Sequence, residues 1–183
     1  GPVYTDTEAA RLGAERGWIL GRDGQGHRRL VPSPEPRAIS ELRALRTLVD
    51  AGVLVICAGG GGIPVTIAAD GRLRGVEAVV DKDLTAALLA RRLDADLLLM
   101  LTDVDAIYLG WGGADEHPLR EVTAEHLRGI EFAAGSMGPK VEGACRFVAA
   151  TGGSAAIGAL QDAAAIVRGE AGTRVVSQTS VVS

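Results

Sequence analysis

Asp81-Lys82-Asp83-Leu84-Thr85 lies inside the run Gly75-Val-Glu-Ala-Val-Val-Asp-Lys-Asp-Leu-Thr-Ala-Ala-Leu-Leu-Ala90, between the apolar pair Val79-Val80 and a helical pattern. Leu84, Leu88 and Leu89 recur at i, i+4 and i+5, and Ala86, Ala87 and Ala90 fill the gaps with strong helix formers. The pattern predicts a helix starting here, with Asp83 as its cap and the Asp83 carboxylate against free backbone N–H groups. Lys82 then falls just outside a helix N-terminus, where the backbone favours an anion. A lysine beside two carboxylates in that place can hold a phosphoryl group, and an aspartate can hold the lysine. The plainer alternative is a capped helix carrying a solvated charge triplet, and this stretch alone leaves both open.

Upstream, the pattern predicts a helix over Ile39–Ala51, with Leu42, Leu45, Leu48 and Val49 on one face and Gly52 ending it. Val53-Leu-Val-Ile-Cys-Ala58 is a continuous apolar run, which reads as a strand buried on both faces. It leads into Gly59-Gly60-Gly61-Gly62-Ile63-Pro64. Helix, buried strand and glycine loop make an α/β layout with a ligand edge at the C-terminal end of the strand. Downstream, Leu97-Leu-Leu-Met-Leu101 reads as a second buried strand ending in Thr102-Asp103-Val104-Asp105, followed by Ile107-Tyr108. Gly110 to Pro118 is a glycine-rich loop, and Thr123–Leu127 a short helix capped by Thr123. Gly135-Ser136-Met137-Gly138-Pro139-Lys140 opens another helix, with Val141, Ala144, Cys145 and Val148 on one face. A strand over Ser154–Ile157, a helix over Leu160–Val167, a strand over Gly172–Val176 and a frayed polar tail from Ser177 complete that part.

The opening of the chain is different in kind. Thr5–Arg16 reads as a helix with Thr5 and Glu8 spaced as a capping box. Trp18–Leu20 and Arg28–Val31 read as a hairpin turning at Asp23-Gly24. Pro32, Pro34 and Pro36 mark a connector or hinge. Val65–Ala68 and Arg72–Gly75 straddle Asp70-Gly71, a second hairpin signal.

The 183 residues suit one domain, or one plus a small appendage. Hydrophobic residues make up 47% and aromatics only 3%, so the core must be aliphatic. A net charge of −4 with no basic run argues against nucleic acid. Nothing reads as a membrane span or signal peptide. Cys57 and Cys145 form neither a disulfide framework nor a metal pattern. Cys57 is expected to pack as a small apolar residue. A reduced, cytoplasmic location fits best. His27, His117 and His126 are scattered, so no protein-only metal site is expected. The chain opens on Gly1 rather than Met, which fits a piece of something longer or a tag scar.

Three features carry possible chemistry. Gly59, Gly60, Gly61 and Gly62 let backbone N–H groups approach a ligand, although neither a Walker A loop nor a dinucleotide fingerprint is present. A tight turn is the plainer reading. Thr102 and Asp103 at a strand end can meet ribose, phosphate or magnesium, or simply cap a turn. Lys140 beside a helix start opposes the helix dipole at a cost of about 0.3–1 kcal/mol, a conflict that a bound polyanion would remove. Two such lysines point towards phosphoryl transfer, which needs charge stabilisation and alignment more than covalent chemistry.

Together, Ala58-Gly-Gly-Gly-Gly-Ile-Pro64, Gly75–Asp83, Leu101-Thr-Asp-Val-Asp105 with Tyr108, Gly135-Ser-Met-Gly-Pro-Lys-Val-Glu142 and Gly172-Thr-Arg-Val-Val176 resemble carbamate kinase, of the amino-acid kinase superfamily. The resemblance runs from Gly1 to about Val176. It implies an α/β three-layer sandwich with a mostly parallel central sheet. It implies phosphoryl transfer between ATP and carbamate, working towards ATP from carbamoyl phosphate and ADP within arginine metabolism. Lys82 and Lys140 would be the transition-state lysines and Asp83 the aspartate orienting them. Thr102, Asp103, Tyr108, Met137 and Gly138 would lie along the nucleotide. The four glycines would border the phosphoryl site, and Mg2+ would arrive on the nucleotide. Residues 1–36 would be part of a protruding lid subdomain and its hinge, and 37–183 the nucleotide-binding part with a short polar tail. A homodimer is expected. Family members start with a strand and a Gly-Gly-Asn loop that binds the acceptor. That N-terminal part, with a further lysine expected just before Gly1, is missing here, so this chain alone is expected to be inactive. The alternatives are another amino-acid kinase of acetylglutamate type, which the Gly75–Asp83 run and the proline-hinged lid argue against, and a non-catalytic nucleotide-binding or assembly module.

Overall fold

The computed structural model describes residues 1–132 and 137–178 of the chain. The expected helix opening at Gly135-Ser136 and the end of the expected polar tail, residues 179–183, lie outside the described residues. The chain forms two compact units, one from residues 1–34 and 63–79 and the other from 35–62 and 80–183.

In the first unit, α1 (Asp6–Arg16) starts at the capping box foreseen from the sequence. The Thr5 hydroxyl accepts from the Glu8 N–H, and the Glu8 carboxylate accepts from the Thr5 N–H at 2.9 Å. Ala9 and Leu12 bury its apolar side. Strands β1 (Leu20–Asp23) and β2 (Gly26–Arg29) form the first hairpin, and its turn is Gly24-Gln25 rather than Asp23-Gly24. The strands therefore start later than expected on one side and end earlier on the other. Trp18 is not in a strand. Its ring lies under the guanidinium groups of Arg29, at 4.3 Å, and Arg16, at 4.9 Å. Gly26 lets residue Tyr4 pair with His27, because a Cβ there would sit 2.9 Å from the Tyr4 carbonyl oxygen. Strands β3 (Val65–Ile67) and β4 (Leu73–Gly75) form the second hairpin, joined by the five residues 68–72 around Asp70-Gly71 rather than by the two-residue turn expected.

In the second unit, α2 (Leu42–Asp50) is shorter than expected and begins three residues after Ile39. No side-chain cap precedes it, and residues 39–42 form only a turn, with the Leu42 N–H donating to the Ile39 carbonyl at 3.3 Å. The strand expected over Val53–Ala58 does not form. Leu54 is 93% exposed and Ile56 96% exposed. Cys57 is exposed too, not packed. A strand exists only against a neighbour that shares its ladder, and no described strand pairs with this run.

Then follow α3 (Lys82–Arg92), β5 (Leu97–Thr102), β6 (Ile107–Leu109), β7 (His117–Leu119), β8 (Glu121–Thr123), α4 (Ala124–Arg128), α5 (Met137–Thr151), β9 (Ser154–Ala159), α6 (Ala163–Val167) and β10 (Thr173–Val176). The stretch read as a loop to Pro118 is in part β7, paired antiparallel with β6. The single helix expected over Leu160–Val167 is a 3-10 turn, Leu160–Asp162, followed by α6.

The sheet runs β5-β9-β10-β8, with β5/β9 and β10/β8 parallel and β9/β10 antiparallel. This is a mixed, mostly parallel sheet in an α/β fold. Leu98 and Met100 pair with Ala155 and Ile157, and this face packs on α3 and α5 through Ala87, Val141, Ala144, Cys145 and Val148. Burial pushes the Cys145 thiol pKa up, as expected for a core residue. On the other face Gly158 leaves room for α6, because a Cβ there would meet Ile166 at 2.7 Å.

Candidate active site

Two tight turns decide where a site can form. Asp94, at φ 54°, reverses the chain from α3 into β5, and Gly152, at φ 70°, reverses it from α5 into β9. Each helix runs back along the strand that follows it. The N-termini of α3 and α5 therefore stand at the C-terminal edge of the parallel β5/β9 pair, where open α/β sheets bind ligands.

At the first of these N-termini the cap is Asp81, not Asp83. One Asp81 carboxylate oxygen accepts from the N–H groups of Asp83 at 2.8 Å and Leu84 at 2.9 Å. Lys82 is consequently the first helical residue rather than an outside neighbour. The shift of two positions frees the Asp83 carboxylate from capping and turns it inward. Asp83 is 8% exposed and Lys140 only 4% exposed. Lys140 Nζ donates to both Asp83 carboxylate oxygens, at 3.1 and 3.2 Å. Lys82 Nζ lies 3.7 Å from Asp83 Oδ2, with its side chain 57% exposed. The structure thus gathers Lys82, Asp83 and Lys140 around one carboxylate. Two ammonium groups against that single carboxylate leave surplus positive charge, presented outward through Lys82.

The glycine loop meets the same helix start. Ala58, Gly59, Gly61 and Gly62 all have positive φ. Gly61 is required as glycine, since a Cβ would lie 2.1 Å from the Val80 carbonyl oxygen. Thr85, buried inside α3, donates to the Gly61 carbonyl at 3.1 Å and the Asp81 carbonyl at 2.9 Å. Thr85 fastens the loop to the helix that carries Lys82. Its role was legible only as an oddity, one hydroxyl within Leu84-Thr85-Ala-Ala-Leu-Leu89.

Thr102 ends β5, and its hydroxyl donates to the Asp103 carboxylate at 3.0 Å. Tyr108 donates to Asp105 Oδ1 at 2.8 Å. That bond, first among the causes, holds the phenol pKa above its ordinary value. The β6/β7 hairpin bearing Tyr108 is tied to β10 by buried Thr173, which accepts from the Ile107 N–H at 2.8 Å and donates to the Leu119 carbonyl at 2.5 Å. Sequence reading passed over Thr173. Met137 and Gly138 are half-buried in the first turn of α5. These five candidates share the sheet edge with the lysines, and among the described residues no hydrogen bond joins them to Lys82 or Lys140. Among the described residues no three His, Cys, Asp or Glu side chains gather where they could hold a metal ion. No described helix is long and apolar enough to cross a membrane.

Comparison with known proteins agrees with this architecture. The carbamate kinase of Haemophilus influenzae is 48% identical over 183 residues, covering all of this chain and 59% of the relative. That of Rhizobium meliloti is 51% identical, covering all of this chain and 57% of the relative. The chain thus spans less than two thirds of the curated relatives it matches. A solved structure of carbamate kinase from Giardia lamblia bound to AMP-PNP superimposes with a TM-score of 0.86 at 42% identity, covering 96% of this chain and 57% of that one. N-acetylglutamate synthase from Neisseria gonorrhoeae, at 18% identity and a TM-score of 0.57, shares the fold alone. The family model described as "Amino acid kinase family" matches residues 5–158, from α1 through the sheet strand β9, and with that span the chain belongs to the amino acid kinase family.

Proposed function

We propose that this chain is the nucleotide-binding part of a carbamate kinase, a phosphotransferase that interconverts ATP and carbamate with ADP and carbamoyl phosphate. The observation that carries the reading is the meeting of Lys82 and Lys140 on Asp83. Phosphoryl transfer spreads negative charge over the moving group and the leaving phosphate. Lys82, with its side chain 57% exposed, contributes one ammonium group to that charge. Lys140 contributes the other, and Asp83 holds both at a fixed separation. The backbone of Gly59, Gly60, Gly61 and Gly62 borders the transferring group. The Gly59 and Gly61 N–H groups are given to the Cys57 and Ala58 carbonyls, and those of Gly60 and Gly62 suit phosphate oxygens. Thr102, Asp103, Tyr108, Met137 and Gly138 line the nucleotide. Mg2+ fits as part of the nucleotide, since it keeps waters and phosphate oxygens as ligands and asks for only one or two carboxylates, which Asp103 and Asp105 offer.

Residues 1–36 are assigned to a lid subdomain with its proline hinge, and 37–183 to the nucleotide-binding part. The 48% and 51% identity to carbamate kinases supports carbamate over acetylglutamate as acceptor. Carbamoyl phosphate, the nucleotide and a second copy of the protein are the expected partners, in the cytoplasm and in arginine metabolism. The 183-residue chain spans 57–59% of these relatives, and alone it is expected to be inactive.

The test is ATP formation from ADP and carbamoyl phosphate. A polypeptide of the relatives' full length that carries this segment is expected to form ATP, and Lys82→Ala is expected to lower its rate by at least about a hundredfold, the scale of a lost transition-state donor. The 183-residue chain alone is expected to form none. Full activity of the Lys82→Ala protein would overturn the reading of the site. Normal activity of the short chain would overturn its assignment as an incomplete enzyme.

A further inference from the structure

Trp111 is one of only two tryptophans in the chain, and it is 64% exposed. An exposed indole on a loose loop would mean little. This one is held. Gly110 and Gly112 take positive φ, and the turn between β6 and β7 is closed by Gly113 N–H donating to the Gly110 carbonyl at 2.8 Å. The Gly112 N–H donates to Glu116 at 2.7 Å. A Cβ at Gly110 would lie 3.2 Å from the Asp115 carbonyl, so the turn needs glycine there. The indole and the Tyr108 ring form a T-shaped pair, with ring centroids 5.3 Å apart and planes at 70°. Tyr108 is itself fixed by Asp105, and the hairpin by Thr173.

Contacts therefore lead from Asp105, three residues past the end of β5, through Tyr108 to an indole that stays largely in water. A single exposed apolar side chain is ordinary in itself; this one is set apart by the fixed turn that presents it. From the C-terminal sheet edge, where a nucleotide's phosphates would meet Lys82 and Lys140, the part of a nucleotide that remains to be held is its base. With 64% of its surface exposed, Trp111 keeps π surface accessible beside Tyr108, and an accessible π face accepts a stacked heteroaromatic ring.

We propose that Trp111 stacks on the base of the nucleotide and makes the site prefer purine over pyrimidine nucleotides, since the larger purine covers more of the indole. This rests on the nucleotide-site reading above.

The test uses two readouts on the chain as it stands. In a Trp18→Phe background, saturation with ADP is expected to quench the remaining Trp111 emission, with the same midpoint as the calorimetric titration. Trp111→Ala is expected to weaken ADP binding by about 5- to 150-fold, the range for one lost base–aromatic stack. Trp111→Phe, which keeps a ring, should stay within about threefold of the parent. The preference for ADP over CDP should shrink in Trp111→Ala. ADP bound as tightly by Trp111→Ala as by the parent, with an unchanged ADP-to-CDP ratio, overturns this inference alone. Emission that follows protein concentration and not ADP also overturns it, and points to self-association through the indole. A parent chain that binds no ADP in calorimetry overturns the nucleotide-site reading, and this inference with it.

Discussion

Asp83 and Lys82 are neighbours in sequence, yet the structure gives them opposite physical characters. The Asp83 carboxylate is buried with Lys140, and both oxygens receive the ammonium. Removing one member of a buried ion pair leaves the other charged and without its partner, which costs about 3–5 kcal/mol. Asp83→Ala is therefore expected to lower stability on that scale in urea unfolding. Lys82 is mostly exposed, and an exposed ion pair contributes at most about 1 kcal/mol. Lys82→Ala should unfold almost with the parent, so that any loss of nucleotide binding or rate in that variant reports chemistry rather than folding. Tyr108 offers a second residue-level test. Its bond to Asp105 raises the phenol pKa in the folded chain. A raised pKa means the bond's contribution is fully present below the unfolded tyrosine value, around 10, and is lost as pH rises through the folded value. Ultraviolet titration should show Tyr108 ionising at higher pH than free tyrosine, and Asp105→Ala should move it back down. An unchanged titration in Asp105→Ala would contradict the assignment.

Among the elements, α3 was legible and its first turn was not. Leucine and alanine spacing marks the helix, but Asp81 and Asp83 are both competent caps by composition. What separates them is Lys140, fifty-seven residues on, which claims Asp83 for itself. No local pattern carries that information. The apolar face of α5 was read correctly, since Val141, Ala144, Cys145 and Val148 are all buried. Val53–Ala58 failed for the converse reason. An unbroken apolar run states a preference for burial, while a strand also needs a partner ladder, and among the described residues none lies beside it. The glycine loop can be tested as an element. Gly61→Ala sets a Cβ against the Val80 carbonyl at 2.1 Å, and at φ 123° a side chain is strained in any case. It is expected to cost about 1–3 kcal/mol or more and to release the loop from Thr85. Gly60→Ala meets nothing within 4 Å and should be tolerated. Equal thermal unfolding of the two variants would refute the proposed attachment of the loop.

At the scale of the whole molecule, the family was legible because several short motifs recur in one order along the chain, each weak and the set specific. Their convergence was not visible from spacing alone. Lys82, Asp83 and Lys140 meet because α3 and α5 both turn back tightly into parallel neighbours, and that follows from the turns at Asp94 and Gly152 and the β5/β9 pairing. The exposed Leu54, Ile56 and Ile63 belong to the same scale. They are apolar positions for which the described chain provides no cover, in a chain that spans 57–59% of its relatives. The most direct measurement is calorimetric titration with ADP of the parent chain, Lys82→Ala and Lys140→Ala. The parent is expected to bind, and loss of one charge-assisted contact to phosphate in Lys82→Ala should weaken binding by about 10- to 100-fold. ADP bound equally well by the parent and by both lysine variants would contradict the assignment of this ion cluster to the phosphates of a nucleotide.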